Sequence, residues 1–272
     1  MFSFLLVATL SVFMYMTLFW LVAQWKQDLS IVDIAWGGGF VVITTSLLFL
    51  QDEYTFRQLL ITTLVTLWGV RLMNYLYRRN RGAGEDYRYT AMRKRWLAKG
   101  KSVALTSYIR VYLLQGVVML LIAYPLVAVH AWDDGSSFGI LDGIGLLLWI
   151  IGFLFEVIGD YQLEKFKEKK HNKGKVMMSG LWKYTRHPNY FGEATLWWGI
   201  YLIVCSVPYG WTTFFAPAIL HFSLLKVSGV PPLEKKAMKK PAYRAYSKRT
   251  NRFIPWFPKQ ETKGDSSNSL HQ

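Results

Sequence analysis

The sequence predicts an all-α fold, a polytopic membrane helix bundle with about seven transmembrane helices. Hydrophobic residues make up 52% of the 272 residues, the mean hydropathy is +0.18 and there are 12 tryptophans. This composition is too apolar and too aromatic for a typical soluble domain and ordinary for a membrane protein. Apolar runs of about 20 residues, the length that crosses a bilayer, also recur along nearly the whole chain.

Seven runs are long and apolar enough to span a membrane. They cover residues 2–25, 30–50, 56–77, 103–130, 140–163, 189–207 and 210–228. The second is the weakest, since Asp33 and three consecutive glycines at 37–39 lie within it. We expect a single integral membrane domain over residues 1–260 and a disordered polar tail at 261–272.

Basic residues are concentrated in three blocks, and their positions predict the topology. Residues 78–101 hold nine, residues 165–186 hold eight and residues 235–263 hold ten of the 32 lysines and arginines, in a chain of net charge +15. Each block follows an odd-numbered span, and the connectors after the even-numbered spans have no lysine or arginine. The positive-inside rule then places the N-terminus outside and the C-terminus in the cytoplasm. We expect lipid and a lipophilic small molecule as partners, and no nucleic acid.

The cysteine and histidine content argues against a metal site. Cys205 is the single cysteine, so an internal disulfide or a cysteine-based metal site is excluded. The five histidines are scattered along the chain. We therefore predict no metal or haem.

Residues 180–193 form a corner where a basic loop meets an apolar run. Pro188 suits the first position of a helix, because proline lacks the N–H group that a helix start leaves unpaired. The positive end of that helix would lie beside Arg186 and His187. This corner is predicted to bind an anion such as a phosphate.

Polar side chains continue from this corner into the helix. Asn189 and Glu193 are four residues apart and share a face, with Tyr190 beside them. Glu156 and Asp160 are also four apart, at the cytoplasmic end of span five. Carboxylates there oppose the helix dipole and repel each other, so a functional role such as binding ribose hydroxyls is favoured over a structural one.

Ionisable groups also lie in the early spans, where they are costly and therefore candidates for function. Arg71 shares a helical face with Trp68 and Tyr75 in span three; it either reaches the interface or pairs with an acid or a ligand anion. Asp33 in span two is either an interfacial cap or a functional acid.

A short basic segment follows the last span. Pro241 again suits a helix start, and Tyr243, Tyr246 and Arg249 follow at three-residue spacing on one face. This pattern predicts either an amphipathic helix at the interface or a lid over a bound nucleotide.

Several segments carry a resemblance to a known family. They are residues 180–193, the tyrosines at 243 and 246 followed by residues 253–256, and residues 28–36, 68–71 and 84–89. Together they resemble the membrane steroid 5-alpha reductase superfamily, and most closely its bacterial members without an assigned substrate. The resemblance covers about residues 28–258.

This resemblance implies a seven-helix bundle in a bacterial inner membrane, with an NADPH pocket that opens to the cytoplasm. The implied reaction is reduction of an enone-type C=C bond in a lipid or steroid-like substrate. By resemblance, cofactor binding is assigned to Asp160, Asn189, Glu193 and Tyr246, whereas Glu156 stands where the reductases carry an amide. The charge and spacing of this sequence add further predicted cofactor-binding residues: Glu156, Arg186, His187, Tyr190, Tyr243 and Arg249.

The resemblance also implies the catalytic residues. Asp33 is the counterpart of a carboxylate that polarises the substrate, and Arg71 matches a basic position in the third span. Trp68 stands where the reductases have a tyrosine, and its indole N–H is a candidate donor. Burial would favour a protonated Asp33.

Two other functions fit the sequence. The segment 186–190 followed by Glu234, Tyr243 and Tyr246 is also similar to membrane methyltransferases, whose cofactor is S-adenosylmethionine. The many lysines and arginines of the last two blocks favour a phosphorylated cofactor over that cation. The other alternative is a non-enzymatic lipid-binding membrane protein, which the tryptophan at position 68 would suit.

Overall fold

The structure, a computed structural model, describes residues 1–259; the predicted disordered tail at 261–272 lies outside them. Helices dominate this part of the chain, and the predicted all-α class is confirmed. The α-helices are α1 (Phe2–Lys26), α2 (Ile31–Leu48), α3 (Phe56–Asn80), α4 (Tyr87–Leu97), α5 (Val103–Ser107), α6 (Leu114–Ile122), α7 (Tyr124–Trp132), α8 (Ile140–Glu168), α9 (Pro188–Val204), α10 (Phe215–Phe222), α11 (Val230–Ala237) and α12 (Pro241–Arg249).

Within residues 1–259, six helical stretches are long and apolar enough to cross a bilayer. They are Phe2–Lys26, Ile31–Leu48, Phe56–Asn80, Val103–Ile122, Ile140–Glu168 and Gly210–Ala237. Helix α9, in the sixth predicted span, has 17 residues, the lower end of the length that spans hydrocarbon. The protein is therefore an integral membrane protein.

By its internal contacts the chain divides into two compact units. The first comprises Met1–Gly145 and Ile200–Ile219, and the second comprises Leu146–Gly199 and the chain from Leu220 onward. In the first unit, α2 is continuous despite its glycines. A Cβ atom added to Gly37 would lie 2.6 Å from the Gly69 carbonyl oxygen, so the missing side chains let α2 and α3 pack closely.

A buried ion network ties together one end of the first unit. Arg57, at the start of α3, contacts Asp133 at 2.6 Å and Asp142 at 2.9 Å, and its side chain is 4% exposed. Thr55 also donates to Asp133. Because every charge here has a partner, the network can hold the 133–142 connector against α3.

In the second unit, α8 and α9 pack through glycines. A Cβ atom on Gly152 would lie 2.5 Å from both the Gly192 carbonyl oxygen and the Leu196 nitrogen, so the two backbones are in direct contact. The connector between them is held on α8, since Trp182 donates its indole N–H to the Gly159 carbonyl at 3.0 Å. This packing sets the geometry of the polar residues on both helices.

Candidate functional site

Helices α8 and α9 bring predicted cofactor-binding residues together in the second unit. Asn189 donates from Nδ2 to Asp160 Oδ1 at 3.1 Å. Glu156, Asp160 and Glu193 are each at most 8% exposed. Asn189 Oδ1 is buried and has no hydrogen-bond partner within residues 1–259. The pair thus leaves one buried hydrogen-bond acceptor unsatisfied within the described residues.

The corner before α9 is built by two distant segments. Helix α9 begins at Pro188, which confirms the predicted helix start. The backbone N–H of Arg186 donates to the Asn251 carbonyl at 2.9 Å, and the Thr185 hydroxyl donates to the Phe253 carbonyl at 2.7 Å. The C-terminal segment therefore fixes the backbone on which Arg186 and His187 stand.

Glu234 on α11 lies at the centre of a cluster of donors. Its Oε1 contacts Arg186 Nη2 at 3.0 Å and His187 Nε2 at 3.3 Å, and its Oε2 contacts Arg252 Nε at 3.1 Å. The Tyr243 hydroxyl donates to the same carboxylate at 3.4 Å. We call these five residues the Glu234 cluster. It contains two guanidinium groups and one carboxylate, so positive charge is in excess.

Burial shapes the titration of this cluster. It lowers the pKa of His187; Arg186 and Arg252 act in the same direction, and Glu234 opposes them. Burial, followed by the charge of Glu234, raises the pKa of Tyr243 to about 12. At neutral pH the histidine and the tyrosine are therefore both uncharged.

Other predicted binders have mixed positions. Arg186 is 8% exposed, and its Nε has no hydrogen-bond partner within the described chain. Tyr190 stacks on His187 with ring centroids 5.9 Å apart. Tyr246 is buried and donates to the Trp182 carbonyl, a contact that holds α12 on the connector. Arg249 is exposed at the end of α12.

The first unit holds a second polar cluster around Asp33, which lies in the first turn of α2. Arg88 Nη2 contacts Asp33 Oδ2 at 2.6 Å, and the Tyr89 hydroxyl donates to Oδ1 at 2.6 Å. Tyr89 is 4% exposed. Both carboxylate oxygens of Asp33 thus accept hydrogen bonds from side chains of the 84–93 segment.

Neighbouring groups hold this cluster in place. Glu85 accepts from the Leu29 backbone N–H at 2.9 Å and pairs with Arg93 at 2.9 Å. Burial acts to raise the pKa of Glu85, but the bonds from Arg93 and Leu29 outweigh it and lower the pKa below its usual value. These contacts hold segment 28–33 against segment 84–93.

Trp68 and Arg71 lie on α3 of the same unit. Trp68 is fully buried and packs edge-on against Phe40, with ring centroids 5.5 Å apart. The Arg71 guanidinium lies 5.3 Å from the Tyr75 ring, on the face that the spacing predicts. Trp68 is therefore packed into the core of the unit.

The sequence did not single out Arg88, Tyr89 or Arg252 as site residues. Arg88 and Tyr89 belong to segment 84–89, which contributes to the family resemblance. This segment contains both acidic and basic residues and follows span three, so it is predicted to lie on the same side of the membrane as Asp33, and that placement could have indicated their pairing. Nothing in local spacing identifies Arg252 as a partner of Glu234.

Comparisons with known proteins bear on these clusters. A model of DUF1295, a family of proteins of unknown function, matches residues 19–250. An uncharacterized protein of Schizosaccharomyces pombe is 28% identical over 267 residues, covering 87% of this chain and 75% of that protein. The 3-oxo-5-alpha-steroid 4-dehydrogenase 1 of Bos taurus is 34% identical over 81 residues, 30% of each chain. No solved structure matches.

Proposed function

The chain belongs to the DUF1295 family, and from this premise we propose that it is a membrane oxidoreductase that uses NADPH to reduce a C=C bond next to a carbonyl group in a lipid or steroid-like substrate. Partial similarity to the bovine steroid dehydrogenase supports the reaction class. The observation that carries the proposal is the buried Tyr89 hydroxyl held by Asp33.

Tyr89 is proposed to polarise the substrate carbonyl. Burial, followed by the charge of Asp33, raises the pKa of Tyr89, so the hydroxyl keeps its proton at neutral pH. On substrate binding it would turn from Asp33 to the carbonyl oxygen and stabilise the negative charge that develops there. Asp33, paired with Arg88, would hold the hydroxyl in position until the substrate binds. Trp68 would pack behind the site, and Arg71 would supply positive charge.

The second unit has a donor and acceptor set that fits NADPH. Asn189 Oδ1 and Arg186 Nε are buried without partners within residues 1–259, and each such atom costs about 1–3 kcal/mol. A ribose hydroxyl would satisfy the first and a phosphate oxygen the second. Glu156 and Asp160 are further acceptors for ribose hydroxyls. When bound, NADPH would supply the hydride, and a proton from solvent would complete the reduction of the C=C bond.

The proposed orientation follows from the basic blocks. All three would lie on the cytoplasmic side of a bacterial inner membrane. The corner at 180–193 would then face the compartment in which NADPH is present, and the substrate would enter from the lipid.

The Glu234 cluster favours one alternative, a methyltransferase that uses S-adenosylmethionine. The methyltransferase pattern contains Glu234, and three other residues of that pattern lie within 3.4 Å of its carboxylate: Arg186, His187 and Tyr243. A carboxylate attracts a sulfonium cation. However, the two guanidinium groups of Arg186 and Arg252 outweigh the single carboxylate of Glu234, and this excess positive charge suits a phosphate better than a cation.

Calorimetry of the full-length protein in detergent distinguishes the two functions. We expect NADPH to bind, and Asn189→Ala to weaken its binding about tenfold through the lost hydrogen bonds. Asn74→Ala, on an exposed face of α3, is the matched control and should bind NADPH normally. Binding of S-adenosylmethionine without binding of NADPH would overturn the proposal.

A further inference from the structure

A pocket of about 540 Å³ lies at the C-terminal end of α8, and its lining does not include any residue of the Glu234 cluster. Its apolar lining comprises Leu163, Phe166 and Met177. Its cationic lining comprises Lys167, Lys169, Lys170, Lys173, Lys175 and Lys240.

The charge around this pocket is strongly one-sided. Of the described residues that line it, Glu168 is the sole acid, and its carboxylate already contacts Lys165 at 2.8 Å. Six lysines line one concavity, and like charges brought this close repel one another. An anion within it would relieve that repulsion.

The fold shapes the basic loop instead of leaving it as an extended connector. Asn172 donates from Nδ2 to the Phe166 carbonyl at 2.9 Å and so satisfies a carbonyl at the end of α8. Gly174 has a φ of 85°, which lets the chain turn back. Lys240, the residue before α12, donates a hydrogen bond from Nζ to the Gly174 carbonyl at 3.3 Å. The lysines that line the pocket therefore come from two segments that are distant in the sequence.

We propose that this pocket binds the phosphate group of an anionic phospholipid from the surrounding bilayer. It lies where the apolar part of α8 gives way to lysines, the depth at which lipid headgroups occur. The apolar lining suits the glycerol and the first methylenes of the acyl chains, which a free phosphate lacks. Lysines whose only role is to fix the orientation of a helix in the membrane would not need to line a concave pocket.

Binding of short-chain lipids to the delipidated full-length protein in a neutral detergent tests the proposal. We expect dioctanoyl phosphatidylglycerol to bind at least about tenfold more tightly than dioctanoyl phosphatidylcholine. The combined substitutions Lys170→Gln, Lys173→Gln and Lys175→Gln should weaken phosphatidylglycerol binding about tenfold or more. Lys240→Gln alone, from the other segment, should weaken it severalfold.

The matched control is the combination Lys94→Gln, Lys99→Gln and Lys101→Gln, three exposed lysines in the first basic block. It should change binding by no more than about twofold, and thermal unfolding should show all variants folded. An equal loss of phosphatidylglycerol binding in both triple variants would overturn the proposal, because it would indicate non-specific electrostatic attraction between the basic blocks and the lipid. Inorganic phosphate that binds as tightly as phosphatidylglycerol would overturn it in favour of a soluble ligand, and so would a lack of preference over phosphatidylcholine.

Discussion

Asp33 accepts hydrogen bonds from the side chains of Arg88 and Tyr89, and these two contacts occupy both of its carboxylate oxygens. Asp33 is engaged as a hydrogen-bond acceptor, and we therefore propose the neighbouring hydroxyl of Tyr89 as the donor to the substrate. In the same unit, Trp68 is packed edge-on against Phe40.

We predict that Tyr89→Phe lowers kcat for enone reduction by about 10²–10³, the effect of removing one donor from an oxyanion site. The affinity for NADPH should be unchanged. The measurement is NADPH oxidation with a 3-oxo-4-ene steroid as the probe substrate. Tyr77→Phe, at a tyrosine that is 53% exposed, is the control. Full activity in the Tyr89 variant would rule out this role.

His187 makes stability depend on pH. Its folded pKa is lowered by burial and lies below the unfolded value of about 6.5. Below that pH the unfolded chain therefore binds more protons than the folded chain, and stability is lost as the pH falls through the folded pKa. We predict that His187→Gln loses less thermal stability than the wild type between pH 7.5 and pH 5. Identical pH dependence of the two would refute the assignment.

At the scale of helices, the contact between α8 and α9 depends on residues without side chains. Gly152 and Gly192 let the two backbones touch. About two turns from Gly152 on α8, Asp160 accepts a hydrogen bond from Asn189, which lies about one turn from Gly192 on α9. The polar pair therefore depends on the helix separation, since a hydrogen bond tolerates a shift of only a few tenths of an ångström.

We predict that Gly152→Ala forces the helices apart, lowers the free energy of unfolding by about 1–3 kcal/mol and weakens NADPH binding. Gly143→Ala on the same helix is the control, because the nearest atom to its added Cβ is 3.9 Å away and alanine favours helix. Thermal unfolding and calorimetry measure the two effects. Equal behaviour of the two variants would contradict this packing argument.

At the scale of the whole molecule, the charge pattern predicts which connectors face the cytoplasm. In a Cys205→Ala background, we expect cysteines at Arg95 and Lys248 to be protected from a membrane-impermeant maleimide in intact cells. Cysteines at Asp52 and Ser137 should react. All four positions are exposed, so access depends on the side of the membrane. Reaction at Arg95 and protection at Asp52 would reverse the proposed topology.

The sequence by itself determined the fold class and several helix starts, because these depend on local properties. Apolar runs of sufficient length must form helices in a bilayer, where backbone polar groups have no water to bind. Pro188 and Pro241 both begin helices, α9 and α12, as the preference of proline for the first turn predicts.

Only the tertiary structure decided which polar groups meet. Asp33 lies 55 residues before Arg88, and His187 lies 47 before Glu234. Helical spacing tells which residues share a face, but it does not tell which distant segment packs against that face. That choice arises from close contacts such as those of Gly37 with Gly69 and from the summed packing of the helices, which no short stretch of sequence contains.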